Sequence, residues 1–219
     1  MANITRTFGT PTDLNKWTWS AWVKKSNPAM GSGAMSIFSG NVTTSEYTGV
    51  RLQPASGNDV ISFHNVEAGS YTGRLLTNRV FRDPGAWYHM VFVWDSDNAT
   101  PGDRMIIYIN GVRETSFAID INPGSGDLCS MASGDECNIG GGNGDASYLW
   151  EGCMSHVQFV DGSALAPTEF GEFDSTSGIW KIKTGAYATP GNNGFFLKMV
   201  LGKIVEFLQV ELQEQVLLV

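Results

Sequence analysis

Charge is scarce in this chain. Only 16% of its 219 residues are Asp, Glu, Lys or Arg, and 22 acids against 14 basic residues leave a formal net charge of −8. The pI is near 4.8. No basic stripe is present to engage a nucleic-acid backbone or an anionic membrane, so neither is expected as a partner. Nor is a secretory leader expected. "MANITRTFGTPTD" has no charged segment followed by an apolar one, so synthesis in a cytoplasm is expected, without the general secretory route. No apolar run before residue 199 is long enough to span a bilayer, and membrane insertion is not expected.

Cysteine is equally sparse. Cys129, Cys137 and Cys153 are an odd number, with no Cys-x-x-Cys pair and no histidine cluster of zinc-site spacing. Three reduced thiols are expected, a Cys129–Cys137 bridge across a Gly-rich loop being the alternative. Catalytic patterns are missing as well. There is no Gly-x-Ser-x-Gly elbow, and "GGGNGD" at 140–145 has neither a lysine nor a following helix, so it reads as a loop and not a phosphate cradle. His64, His89 and His156 stand alone within strand patterns and read as satisfied sheet histidines.

What the chain does have is glycine, 26 residues, and aromatics at 11%. Short apolar runs bounded by Gly, Pro, Asn or Asp recur: "WTWSAWVKK", "AMSIFSG", "TGVRLQP", "VISFHNV", "GRLLTNRV", "AWYHMVFVWD", "MIIYINGVRE", "SFAIDI", "CNIGGG" and "EGCMSHVQFVDG". In the first, Trp17, Trp19, Ala21 and Val23 share one face. In "WYHMVFVWD" both faces are largely apolar, which is the mark of a central strand covered on both sides. Asn110-Gly111 supplies the positive φ angles of a tight hairpin. No window before residue 199 has a 3.6-residue apolar period. The pattern predicts an all-β protein, a two-sheet antiparallel sandwich or jelly roll.

The order of "WTWSAWVKK", "WYHMVFVWD", "IYINGV", "NIGGG" and "GCMSHVQFVDGSALAPTEFGE" resembles the concanavalin A-like, laminin G-type jelly roll. More narrowly it is similar to laminin G-like domains of structural and tail proteins of tailed bacteriophages, marine ones in particular. The endings "DGSALAPTEFGEFDSTSGIWKIK" and "TPGNNGFFLK" carry that likeness, which spans roughly residues 5 to 198. Pro167 can open a short helical turn at Thr168 to Phe170, with Leu165 and Phe170 clipping it onto the sandwich and Trp180 and Tyr187 packing the closing lobe.

Two features depart from the pattern. The chain begins almost at its first core strand, and it ends in "MVLGKIVEFLQVELQEQVLLV" where the similar domains are polar. Residues 1–198 are therefore read as the jelly-roll domain and 199–219 as an apolar C-terminal extension, helix or strand. Leu201, Val205, Leu208, Leu212 and Val219 form a heptad-like stripe. Three readings stay open: a helix that assembles copies, such as a trimer; a packed strand or helix; and a frame-shifted ending.

The resemblance implies a non-enzymatic virion structural protein: a fibre, tail or capsid-decoration component, made in the host cytoplasm and placed at the virion surface. Other virion proteins, further copies of itself and host surface glycans are its expected partners. A ligand-free decoration or joining protein and a cellular carbohydrate-binding adhesion domain are the alternatives. Jelly rolls of this type also occur in glycoside hydrolases, which need two facing carboxylates. The nearest set is Glu169, Glu172 and Asp174 in "TEFGEFD", read as part of the clip. For a sugar, the candidate platforms are Tyr47, Tyr71, Tyr148 and Trp150, which lie near Gly-rich or polar stretches. No cofactor is expected unless it is Ca²⁺, which laminin G-like folds often hold at loop ends. Its candidate oxygen donors are Asp95, Asp97, Asp103, Asp127, Asp135 and Asp145.

Overall fold

The computed structural model describes residues 3–26, 33–131, 134–142, 148–183 and 189–198. Among these residues fifteen strands run in chain order: β1 (Ile4–Thr7), β2 (Lys16–Lys25), β3 (Met35–Thr43), β4 (Glu46–Ala55), β5 (Asn58–Glu67), β6 (Ser70–Val80), β7 (Tyr88–Asp95), β8 (Met105–Ile109), β9 (Val112–Arg113), β10 (Phe117–Ile121), β11 (Glu136–Ile139), β12 (Gly152–Asp161), β13 (Gly171–Phe173), β14 (Trp180–Ile182) and β15 (Phe195–Leu197). They build a seven-stranded sheet in the order β1-β11-β3-β4-β5-β6-β10, a six-stranded sheet in the order β15-β12-β2-β7-β8-β9, and the small pair β13-β14. Neighbouring strands pair antiparallel throughout, as between β2 and β7 or β4 and β5. Among the described residues there is no α-helix, only single 3-10 turns such as Pro101–Asp103 and Pro167–Glu169. This is the sandwich that the alternating strand patterns predict.

Alternation decides what lies inside. Trp17, Trp19, Ala21 and Val23 of β2 face the space between the sheets with Met90, Phe92 and Trp94 of β7. Phe38 and Phe63 meet them from the other sheet. Trp17 packs edge-on to Phe63 at 5.6 Å between ring centroids and Trp19 stacks on Phe38 at 5.5 Å. Each such ring contributes about 1.5–3 kcal/mol by leaving water.

The opposite face of β7 is also covered. Val91 and Val93 form a second apolar cluster with Val160 and Phe170, against which Leu165, Ile106 and Tyr108 pack. Phe170 follows the 3-10 turn opened by Pro167, so the expected clip is there. It seals the outer face of the six-stranded sheet, and Trp180 of β14 extends it. Trp180 Nε1 donates to Nδ1 of buried His89 at 2.9 Å, and His89 Nε2 faces Ser20 Oγ at 3.0 Å. The indole donor fixes the tautomer, since Nδ1 must accept and Nε2 carries the proton toward Ser20. Asn110 and Gly111 turn the β8–β9 hairpin with φ of 49° and 79°, as their dipeptide predicts. A Cβ on Gly111 would stand 2.4 Å from the Trp180 ring, so the glycine serves the clip as well as the turn.

A polar seam closes one end. Asp161 Oδ2 accepts the backbone N–H groups of Thr12 at 2.9 Å and Asn193 at 3.0 Å. Asn193 in turn pairs with Gly9 as a strand would: its Oδ1 accepts from Gly9 N at 2.8 Å and its Nδ2 donates to Gly9 O at 3.0 Å. Asp161 of "DGSAL" and Asn193 of "GNNGF" thus serve closure. The cysteines are thiols, Cys129 and Cys137 buried and Cys153 exposed. Burial pushes the Cys129 thiol up to about 12 and Cys137 upward as well.

Candidate functional site

The outer face of the seven-stranded sheet carries a groove of about 260 Å³ lined by Ser36, Ser39, Tyr47, Gly49, Arg51, His64, Gly142 and Tyr148, among others. Period-two alternation puts them there. On β4, Val50 and Leu52 face the core, which turns Tyr47, Gly49 and Arg51 outward. Register then brings Ser39 and His64 beside Gly49 from either side, and Arg74 beside His64. Gly49 is the low point of this row: a Cβ there would lie 3.3 Å from His64 Nε2. Gly142 roofs one end over Ser36, to which a Cβ would come within 3.3 Å, and the Gly141 carbonyl accepts from Ser39 Oγ at 3.2 Å.

His64 forms the floor, 2% exposed. Tyr47 and Tyr71 stand edge-on to its ring at 5.5 and 6.0 Å. Ser62 Oγ lies 3.2 Å from His64 Nδ1, while among the described residues Nε2 has no hydrogen-bond partner and lies beneath Gly49 in the groove. Burial pushes the imidazole down to about 3, and the positive charges of Arg51 and Arg74 act in the same direction. It is neutral at physiological pH. Burial also raises the Tyr47 hydroxyl, followed by the influence of Tyr71. Arg51 donates from Nε to Gln53 Oε1 at 3.2 Å and from a terminal nitrogen to the Tyr71 hydroxyl at 3.4 Å. Arg74 lies over the Tyr71 ring, its Cζ 4.3 Å from the centroid. Aromatic edges, hydroxyls and guanidinium N–H groups around a neutral imidazole can bind a polyhydroxylated ring. No Asp or Glu lines the groove among the described residues.

Tyr47 and Tyr148 line this groove and Tyr71 stands at its edge, so three of the four proposed sugar platforms come together. Trp150 does not join them. It is 6% exposed and packs in the core between the sheets, because the chain turns inward as it approaches β12. Arg51, His64 and Arg74 were not anticipated from sequence. The signal was available: in "YTGVRLQ" the residues alternating with the core-facing Val50 and Leu52 are Tyr47, Gly49 and Arg51.

The proposed calcium donors are engaged elsewhere. Lys16 Nζ sits 3.9 Å from Asp95 and 3.8 Å from Asp97, and Asp103 pairs with Arg113 at 2.6 Å. Asp127 accepts the Gly124 amide at 2.6 Å, and Asp135 is buried beside the strand that follows it. Asp145 lies outside the described residues, as do Tyr187 and the stripe Leu201, Val205, Leu208, Leu212 and Val219. Among the described residues no three His, Cys, Asp or Glu side chains are grouped to hold a metal ion. Glu172 and Asp174 both face Lys181, at 3.3 and 3.2 Å, in the exposed β13–β14 pair with Glu169 close before it. Amides of Ser177 and Thr176, with Lys181, hold the Asp174 carboxyl well below its usual range. These acids belong to the clip, across the sandwich from the groove.

The sequence profile of the family described as the concanavalin A-like lectin/glucanases superfamily matches residues 4–169. Among solved structures, the native heptameric SAP-like pentraxin of Limulus polyphemus is 22% identical, with 74% of this chain and 70% of that one covered at a TM-score of 0.51. Tailspike protein 2 of the Escherichia coli O157:H7 bacteriophage CAB120 is 15% identical over 73% of this chain, which spans only 22% of the tailspike, at 0.46. CG-16, a homodimeric agglutinin from chicken liver, is 8% identical, with 72% and 99% covered, at 0.42. At such identities the likeness is one of fold. No curated protein matches the sequence.

Proposed function

Because the chain belongs to the concanavalin A-like lectin/glucanase superfamily, a fold that points to carbohydrate as the ligand class, we propose that it is a non-catalytic glycan-binding domain. The observation that carries this reading is the groove itself: tyrosines around a buried neutral His64 whose Nε2 has no hydrogen-bond partner among the described residues. Cleaving a glycosidic bond calls for two carboxylates flanking it, and the described lining supplies none. Binding without turnover is the chemistry this lining supports.

The setting we propose is the surface of a tailed bacteriophage, as a fibre, tail or capsid-decoration component. Its support is the likeness of "DGSALAPTEFGEFDSTSGIW" and "GNNGFFLK" to phage tail-protein domains. On a particle, many copies would multiply weak contacts into stable attachment, which fits a groove of about 260 Å³ that takes one ring-sized group. Homo-oligomerisation and docking on other virion proteins belong to the same proposal.

A glycan array probed with the full chain, displayed multivalently, tests the binding. Wild type is expected to bind a defined subset of glycans, and Tyr47→Ala to bind them at least about tenfold more weakly. A blank array for a folded, multivalent protein would overturn the reading in favour of a ligand-free decoration protein. Mass spectrometry of purified particles tests the setting, which fails if the chain is absent from virions.

A further inference from the structure

We propose, on the basis of the glycan-binding reading above, that the sugar this groove selects carries a carboxylate, which Arg51 and Arg74 receive together. The argument starts from charge placement. The molecule as a whole is acidic, at −8, and among the described residues five cations pair with acids: Lys16 with Asp95 and Asp97, Lys25 with Asp59, Arg79 with Glu114, Arg113 with Asp103, and Lys181 with Glu172 and Asp174. Arg51 and Arg74 are not among them, and what distinguishes these two is where they meet. Among the described residues neither has a carboxylate partner, yet they occupy neighbouring strands on either side of β5 and converge on one side chain. Arg51 reaches the Tyr71 hydroxyl at 3.4 Å while Arg74 lies over the Tyr71 ring at 4.3 Å.

Two guanidinium groups gathered without an anion repel each other, and among the described residues the protein offers them the Tyr71 phenol and, for Arg51 alone, the Gln53 amide oxygen. Arg74 Nε is moreover shielded from solvent and has no hydrogen-bond partner among the described residues. A buried donor left open is costly unless something completes it. The stacking on Tyr71 holds the Arg74 plane, so its N–H edge is oriented in advance. A planar acceptor with two oxygens matches such an edge better than a single hydroxyl does. The neighbouring row supplies the rest of a sugar site. His64 Nε2 opens upward from the floor, Tyr47 presents a ring edge and face, and Ser36 and Ser39 present hydroxyls. In the tautomer where Ser62 Oγ donates to Nδ1, Nε2 carries a proton and donates to a ring hydroxyl. Gly49 leaves the room for that hydroxyl to descend.

The carboxylate can belong to a uronic acid or to a sialic acid, and the test separates them. Titration calorimetry with the full chain would compare oligouronides, their methyl esters, sialyllactose, lactose and sulfated oligosaccharides. The expected result is binding of one carboxylated class, weakened at least about tenfold by esterification or by loss of the acidic residue, and by Arg74→Gln or Arg51→Lys in variants whose unfolding midpoint matches wild type. Raising salt should weaken the same complex. Equal binding of acidic and neutral sugars would overturn the carboxylate assignment while leaving the groove a glycan site. Preference for sulfate over carboxylate would overturn it as well. No binding of any sugar, here and on the array, would remove the glycan reading together with it.

Discussion

His89 accepts a hydrogen bond from Trp180 on one ring nitrogen and reaches Ser20 with the other, so its neutral form is built into the fold. Burial lowers it to about 3, and His64 likewise to about 3. Both folded values lie below the unfolded value of about 6.5. Below that pH the unfolded chain binds more protons, so stability is complete above about pH 6.5 and falls as pH drops toward 3. Each histidine adds a slope of about 1.4 kcal/mol per pH unit once its unfolded form is fully charged. Urea unfolding between pH 7 and 4.5 should show the decline, and His89→Gln, which can replace both bonds without titrating, should reduce the slope by about half. An unchanged slope would mean His89 is not neutral in the fold. Trp180→Phe keeps a ring but orphans His89 Nδ1, at an expected cost of about 1–3 kcal/mol. At the groove, Gly49→Ala sets a Cβ 3.3 Å from His64 Nε2. Glycan affinity should fall with little change in the unfolding midpoint.

At the scale of elements, the strands were legible because their patterns are strict. β2 alternates tryptophans with small polar residues, and β7 is apolar on both faces because one side meets the inter-sheet core and the other meets the clip. The groove was only half legible. Tyr47, Tyr71 and Tyr148 stand out by type, but the arginines and His64 become a site only when register sets β4, β5 and β6 side by side. Trp150 misleads for a related reason, since proximity to a Gly-rich loop says nothing of which way a side chain turns. β1 is not legible in the sequence because "ITRT" has no apolar face; all four residues are exposed, and pairing with β11 and a bond from Arg6 to the Asn193 carbonyl hold them. The polar seam was legible as motif and not as purpose. Asn193→Ala would leave Gly9 N and O without their partner and should cost about 1–3 kcal/mol. Hydrogen exchange at Gly9 and Thr12 should quicken before exchange in β2 does. Uniform acceleration across the sheets would show that the seam is no separate unit of stability.

Seen whole, the molecule has two unlike outer faces. The clip of Leu165, Phe170 and Trp180 seals the six-stranded side, while the seven-stranded side keeps its groove open. Arg51 and Arg74 lie on the open side, within a chain that is acidic overall. A bulky label at exposed Cys153, in the six-stranded sheet, should therefore leave glycan affinity within about twofold, whereas Tyr148→Ala at the groove should reduce it severalfold; calorimetry on the two proteins checks this. Alternation has one more consequence, for variation. Along β4, β5 and β6 the core is built by Val50, Leu52, Phe63 and Leu75, while the groove and its rim draw on the intervening positions, Tyr47, Arg51, His64 and Arg74. The groove lining and foldedness are thus written in separate letters of the same strands. A laboratory library could rewrite the first set repeatedly without renegotiating the second.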